Sequence, residues 1–136
     1  MPYLKFYSIE NQVFAKESRY FFTDSHVLKI CEKLARHFKF RVGKVRFRKM
    51  KFAYGRATYD DNSITFIHGP SILVICHELA HLYQYQRIGK SYHGKKLLPI
   101  IRKMLAYCES KGWWISESVI EARMMEREKN VSIAVK

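Results

Sequence analysis

Residues 71–88, SILVICHELAHLYQYQRI, contain neither glycine nor proline and read as one continuous helix. At its centre stands His77-Glu78-Leu79-Ala80-His81, which fits H-E-x-x-H. Side chains four residues apart on a helix share a face, so the two imidazoles can reach one ion. Neutral imidazole suits zinc, and a catalytic zinc keeps three protein ligands plus a water. Glu78 falls beside the ligand face, where its carboxylate can take a proton from that water. The plain alternative is a helix whose histidines are merely exposed or hydrogen-bonded. Any fold for this chain as a zinc protein must bring a third ligand to this face.

His93 is the leading choice for that ligand. Gly89 is placed to end the helix, and Gly94 lets the backbone turn tightly beside His93. The competitor is Glu121 in SESVIEARMM, although Ser118-x-x-Glu121 is also a capping box that would occupy the carboxylate at a helix start. Glu117 is a further option. Tyr83, Tyr85 and Tyr92 lie near enough in sequence to help bind an oxyanion.

The chain before this helix is strongly basic. No acidic residue occurs between Glu32 and Asp60, and the whole chain carries 25 Lys and Arg against 12 Asp and Glu, a net charge of +13. Such an excess favours a polyanionic partner, with solubility as the bland alternative. Val45 and Phe47 alternate with Lys44, Arg46 and Arg48, the period-two pattern of a half-buried strand with its basic side chains on one face. Together with Lys49, Lys51 and Arg56, and flanked by Phe40, Phe52 and Tyr54, this segment suits phosphate contacts with some base stacking. Nothing in it reads base sequence, so binding to nucleic acid is expected to be electrostatic.

The remaining elements follow from local chemistry. Thr23-Asp24-Ser25 supplies cap residues for a helix with Val27, Cys31, Leu34 and Phe38 at helical spacing, the stripe widened by Leu28, Ile30 and Ala35. His26 and His37 fall at its edges. Residues 53–59 and 63–67 form a hairpin across the turn residues Asp60-Asp61-Asn62. The second of these strands, directly before the H-E-x-x-H helix, offers an edge on which an extended peptide can pair. Pro70 suits the first turn of that helix, and Pro99 requires the next helix to start near Lys95 or Lys96. Residues 1–22 read as a short strand and packing arm, Trp113 and Trp114 as a cap on the core, 115–129 as a further helix, and 131–135 as a weakly alternating tail. Three scattered cysteines form no C-x-x-C pair. There is no membrane-length apolar run and no signal-peptide pattern, so a cytoplasmic protein is expected, nucleoid-associated if it binds DNA.

HELAHLYQYQRIGKSYHGKKL resembles the SprT-like zinc metallopeptidases, whose H-E-x-x-H helix is followed about a dozen residues later by His-Gly. The upstream order is also similar: a helix ending near HFKF, a basic hairpin containing Tyr54-Gly55-Arg56-Ala57, then the strand SITFI. The resemblance covers roughly residues 24–109. It implies one α+β zincin-like domain over 1–136, with a small twisted sheet and a helical C-terminal part. It implies one Zn2+ held by His77, His81 and His93, Glu78 as catalytic acid/base, a protein substrate, and, as in the Spartan proteases, cleavage of proteins crosslinked to DNA. The chain departs from the family in lacking a four-cysteine zinc ribbon and in having Leu97 where an aromatic residue is common. SESVIEARMM loosely resembles the ImmA-like and small gluzincin peptidases, which use a helical glutamate as ligand and would imply a specific protein partner. A zinc-containing nucleic-acid-binding module without catalysis is the third expectation.

Overall fold

The computed structural model describes residues 21–51 and 53–113, which form three helices and three strands. In chain order these are α1 (Asp24–Phe38), β1 (Val45–Phe47), β2 (Gly55–Thr58), β3 (Ser63–Phe66), α2 (Ile72–Ile88) and α3 (Leu97–Ser110). Residues 1–20 of the expected N-terminal arm, Phe52, Trp114, the 115–129 helix with Glu117 and Glu121, and the tail lie outside the described residues.

Helix α1 buries Val27, Ile30, Cys31 and Leu34, as their spacing requires. Leu28 departs from the expected stripe: it follows Val27 by about 100° around the helix and is 48% exposed. Thr23 takes the cap position, but its hydroxyl meets His26 Nδ1 at 3.0 Å rather than the helix backbone. Asp24 instead accepts from the Gly69 N–H at 3.0 Å and from His68 Nδ1 at 2.7 Å. That ties the start of α1 to the turn ahead of α2.

The sheet order is β1-β3-β2. The expected hairpin is present, with Arg56 opposite Thr65 and Thr58 opposite Ser63 in antiparallel register. Of the basic residues, Arg56 belongs to it, and the strand with Lys44, Arg46 and Arg48 does not. β1 lies parallel to β3, with Arg46 opposite Thr65, so the chain passes from one edge to the other before the hairpin returns β3 to the middle. Consequently β3, the strand directly before the metal helix, has both edges paired and cannot take a peptide. Among the described residues, the strands with an unpaired edge are β1 and β2. Val45, Phe47, Ile64, Phe66 and Ala57 form or pack against the core, while Lys44, Arg46 and Arg48 face outward as the alternation predicts.

Helix α2 starts from Ser71, whose side chain accepts from the Val74 N–H at 3.2 Å. Pro70 therefore precedes the cap instead of lying in the first turn. Gly89 closes the helix at φ 74°, donating to Tyr85 O at 2.7 Å, a conformation glycine adopts without penalty. Eleven residues of α2 are buried, because α1, α3 and the sheet all pack on it. α3 begins at Leu97, a residue or two later than expected, and Pro99 falls in its first turn. It buries Leu97, Ile101, Met104, Leu105 and Cys108. Between the helices, His37 stacks on Tyr107 at 3.8 Å, and Phe38 and Phe40 set their edges to Tyr83. Phe40 is thus a core residue and not a surface for base stacking. No helix among the described residues is long and apolar enough to cross a membrane.

Gln86 joins α2 to the strand lead-in. Its Oε1 accepts from Arg41 N at 2.8 Å, and its Nε2 donates to Arg41 O at 2.8 Å and to Asn62 Oδ1 at 3.1 Å. Gln86→Ala is expected to lower unfolding free energy by about 1–2 kcal/mol at these partly solvated bonds, with the urea m-value unchanged. A midpoint identical to the parent protein's would contradict this bridge.

Candidate metal centre

His77 and His81 occupy successive turns of α2 and are 3% and 6% exposed. Past Gly89, the chain folds back so that His93 meets them. The three Nε2 atoms form an equilateral triangle, with His77–His81, His77–His93 and His81–His93 all separated by 3.1 Å. The three side chains could hold a metal ion. Two features favour that reading. Ligand atoms about 2.0–2.1 Å from a tetrahedral zinc lie roughly 3.3 Å apart, close to this spacing. Moreover, a neutral imidazole nitrogen is either a donor or an acceptor. Three nitrogens in mutual contact must therefore include a donor–donor or acceptor–acceptor pair. A cation accepting all three lone pairs removes that conflict.

Glu78 is also buried, and its Oε1 lies 3.9 Å from His77 Nε2. Its carboxylate thus borders the triangle, on the side where β2 crosses α2. The crossing depends on Gly55. A Cβ at that position would come within 2.8 Å of Glu78 Cγ and 3.3 Å of its Cδ. The missing side chain in β2 provides the room in which the carboxylate sits.

A polar network continues along the same face of α2. Gln84, 3% exposed, accepts from Ser91 Oγ at 2.8 Å and from the Tyr92 N–H at 3.2 Å. Ser91 Oγ lies 2.7 Å from His81 Nδ1. Tyr59 also interacts with Ser91 and feels the charge of Glu78; burial raises its phenol above the ordinary range, with Ser91 opposing. Its ring stacks on Tyr85 at 4.3 Å. Of the tyrosines suggested by sequence, Tyr83 is committed to the α1 packing and Tyr92 lies against Gly94. Tyr59 reaches the site instead. Gln84 was recognisable in principle, being three residues from His81 and seven from His77, a polar side chain on the metal face of an apolar helix. Gly55, Ser91 and Tyr59 carry no such local signal.

Lys44, Arg46, Arg48, Lys49, Lys51 and Arg56 are all exposed. The register places Arg46, Thr65 and Arg56 in one row across the three strands, so their side chains share the outward face. Tyr54, just before β2, is 68% exposed, whereas Phe40 is buried.

No family model and no curated protein matches the chain. Among solved structures, the crystal structure of the metallopeptidase zymogen of Pyrococcus abyssi abylysin aligns with 57% of this chain and 77% of that one, at 25% identity and a TM-score of 0.45. A likeness of that size carries no argument about the chemistry of this chain.

Burial, reinforced by His77 and His93, lowers His81 from the ordinary 6.5 to about 3. Burial and His77 lower His93 to about 4. Both rings are neutral at pH 7, as metal ligation requires. In the unfolded chain they take up protons near 6.5. The unfolded state therefore binds more protons below that pH, and stability falls with acidification. For the metal-free protein, the denaturation midpoint is expected to be level above pH 7 and to drop from about pH 6.5 down through about 4, where folded His93 takes up its proton, to about 3, where folded His81 does. Replacing His81 and His93 by Gln should flatten this profile. A parent profile that is already flat across that window would refute the burial of neutral imidazoles.

Proposed function

We propose that this chain is a zinc-dependent peptidase of the SprT-like kind. The observation that carries the reading is the triangle of three Nε2 atoms 3.1 Å apart, on two buried rings and one half-buried ring, with an oxygen of the buried Glu78 3.9 Å from one of them. His77, His81 and His93 would hold the ion, with His93 rather than Glu121 as the third ligand. Bound zinc supplies Lewis acidity and lowers the pKa of a water towards roughly 7.

The chain's own residues do the rest. Glu78 takes a proton from the attacking water as its oxygen bonds to the scissile carbonyl carbon. It then returns that proton to the amide nitrogen as the C–N bond breaks, so the carboxylate ends unchanged. Substrate is held in extended form along the outer edge of β2, which pairs with no strand among the described residues. Because Gly55 of β2 abuts Glu78, the strand that aligns the peptide also brings it to the base.

Glu78→Gln is expected to retain about one equivalent of zinc and to lose proteolysis by roughly 10²–10⁴-fold. Gly55→Ala, which pushes the carboxylate aside without touching a ligand, should likewise spare zinc and depress turnover. Metal analysis and cleavage of an unfolded protein substrate check both. Undiminished cleavage by Glu78→Gln would remove that residue from the mechanism, and zinc uptake without proteolysis by the parent protein would favour a non-catalytic binding module.

The substrates we propose are proteins bound or crosslinked to DNA. The outward row of Arg46, Thr65 and Arg56, continued by Lys44 and Arg48, supports this reading together with the net charge of +13. Contacts of this kind bind phosphate and are salt-dependent. Replacing Lys44, Arg46 and Arg48 by Ala is expected to lower the slope of log K against log salt on duplex DNA by roughly 3. DNA should also stimulate cleavage of a DNA-bound protein. Salt-insensitive binding and no stimulation would leave a peptidase acting on a specific protein partner.

A further inference from the structure

His81 has a second nitrogen, and the groups around it form a chain of hydrogen bonds whose direction can be assigned at every link. It begins with the backbone N–H of Tyr92, which can only donate. This N–H points at the Gln84 amide at 3.2 Å, so the amide atom it meets is the oxygen. The same oxygen lies 2.8 Å from Ser91 Oγ, and a carbonyl oxygen cannot donate. The single proton of Ser91 is therefore given to Gln84. Having spent it, Ser91 Oγ can act only as acceptor towards His81 Nδ1, 2.7 Å away. The proton in that bond belongs to the imidazole. A neutral ring protonated at Nδ1 has its lone pair on Nε2, the atom that faces His77 and His93.

We infer that Gln84 and Ser91 are positioning residues that hold His81 in its metal-binding tautomer and dock the His93 loop before any ion arrives. The two tasks share one atom. Gln84 Oε1, on the helix one turn past His81, accepts from both Ser91 and Tyr92, the residues leading into His93. The orientation of one ligand and the approach of another thus depend on the same buried amide. The inference rests on the metal reading of the triangle, but the tautomer it assigns exists without metal and is measured without it.

The test uses the full chain labelled with 15N at histidine. In the metal-free parent protein at pH 7.5, long-range proton–nitrogen correlation should show His81 protonated at Nδ1. In Ser91→Ala, the Nε2-protonated form should become populated. Gln84→Met should act in the same direction, because Ser91 regains a proton to offer Nδ1. Zinc affinity, measured by competition with a chromophoric chelator, should weaken about 10–100-fold in both variants. Ser91→Thr, which keeps the hydroxyl, should stay close to the parent in both readouts. A merely structural role would lower the melting temperature of Ser91→Ala and leave the His81 tautomer unchanged. That result, or zinc affinity within twofold of the parent's, would overturn the inference. Failure of the parent itself to bind zinc would instead overturn the proposed metal site, with the tautomer measurement still deciding the hydrogen-bond chain.

Discussion

An apolar helix that buries polar side chains must supply a partner for each of them. Helix α2 buries His77, Glu78, His81 and Gln84 among Ile75, Cys76, Leu79, Ala80 and Leu82. An unpartnered group in such surroundings costs about 1–3 kcal/mol, and among the described residues no buried side-chain nitrogen or oxygen is left without a partner. Much of the surrounding architecture meets that demand. The loop after Gly89 returns because Gln84 offers an acceptor to its backbone, β2 comes close because Gly55 leaves space, and the three imidazoles converge where they could hold a metal ion.

The sheet complements this arrangement by its connectivity. With β3 in the middle, its Ile64 and Phe66 are fully buried, and its neighbours need only cover it from either side. β1 can therefore be short, edge-placed and basic on its outer face without weakening the core. β2 lies over the helix and presents its other edge. The two edges have different chemistry, one rich in cationic side chains and the other adjacent to the buried carboxylate.

What could be read from the chain was set by distance along it. The H-E-x-x-H helix, the Gly89 cap, the first-turn Pro99 and the β2–β3 hairpin depend on residues a few positions apart, and each was legible. The histidine pair belongs with them, since helical geometry alone brings its members together. His93 was reachable because only the short return after Gly89 separates it from the helix. The parallel pairing of β1 with β3 was not, because no local turn encodes it, and the basic strand was left without a partner. Phe40 looked like a surface aromatic because its neighbours are charged, and only its contact with Tyr83 on α2 makes it core. Gly55 reads as one more position of the 53–59 strand, and its role emerges only when Glu78 is placed against it.

The contact between Gly55 and Glu78 also restricts how this protein can vary. A strand residue usually tolerates many side chains, provided the pleat sends them to a compatible face. Here one position in a strand has been emptied to house part of a side chain from a helix 23 positions further along. Any residue larger than hydrogen at 55 displaces the carboxylate, and any shortening at 78 leaves a void beneath the strand. The two sites are bound in a single volume, so a viable change at either is expected to require a matched change at the other.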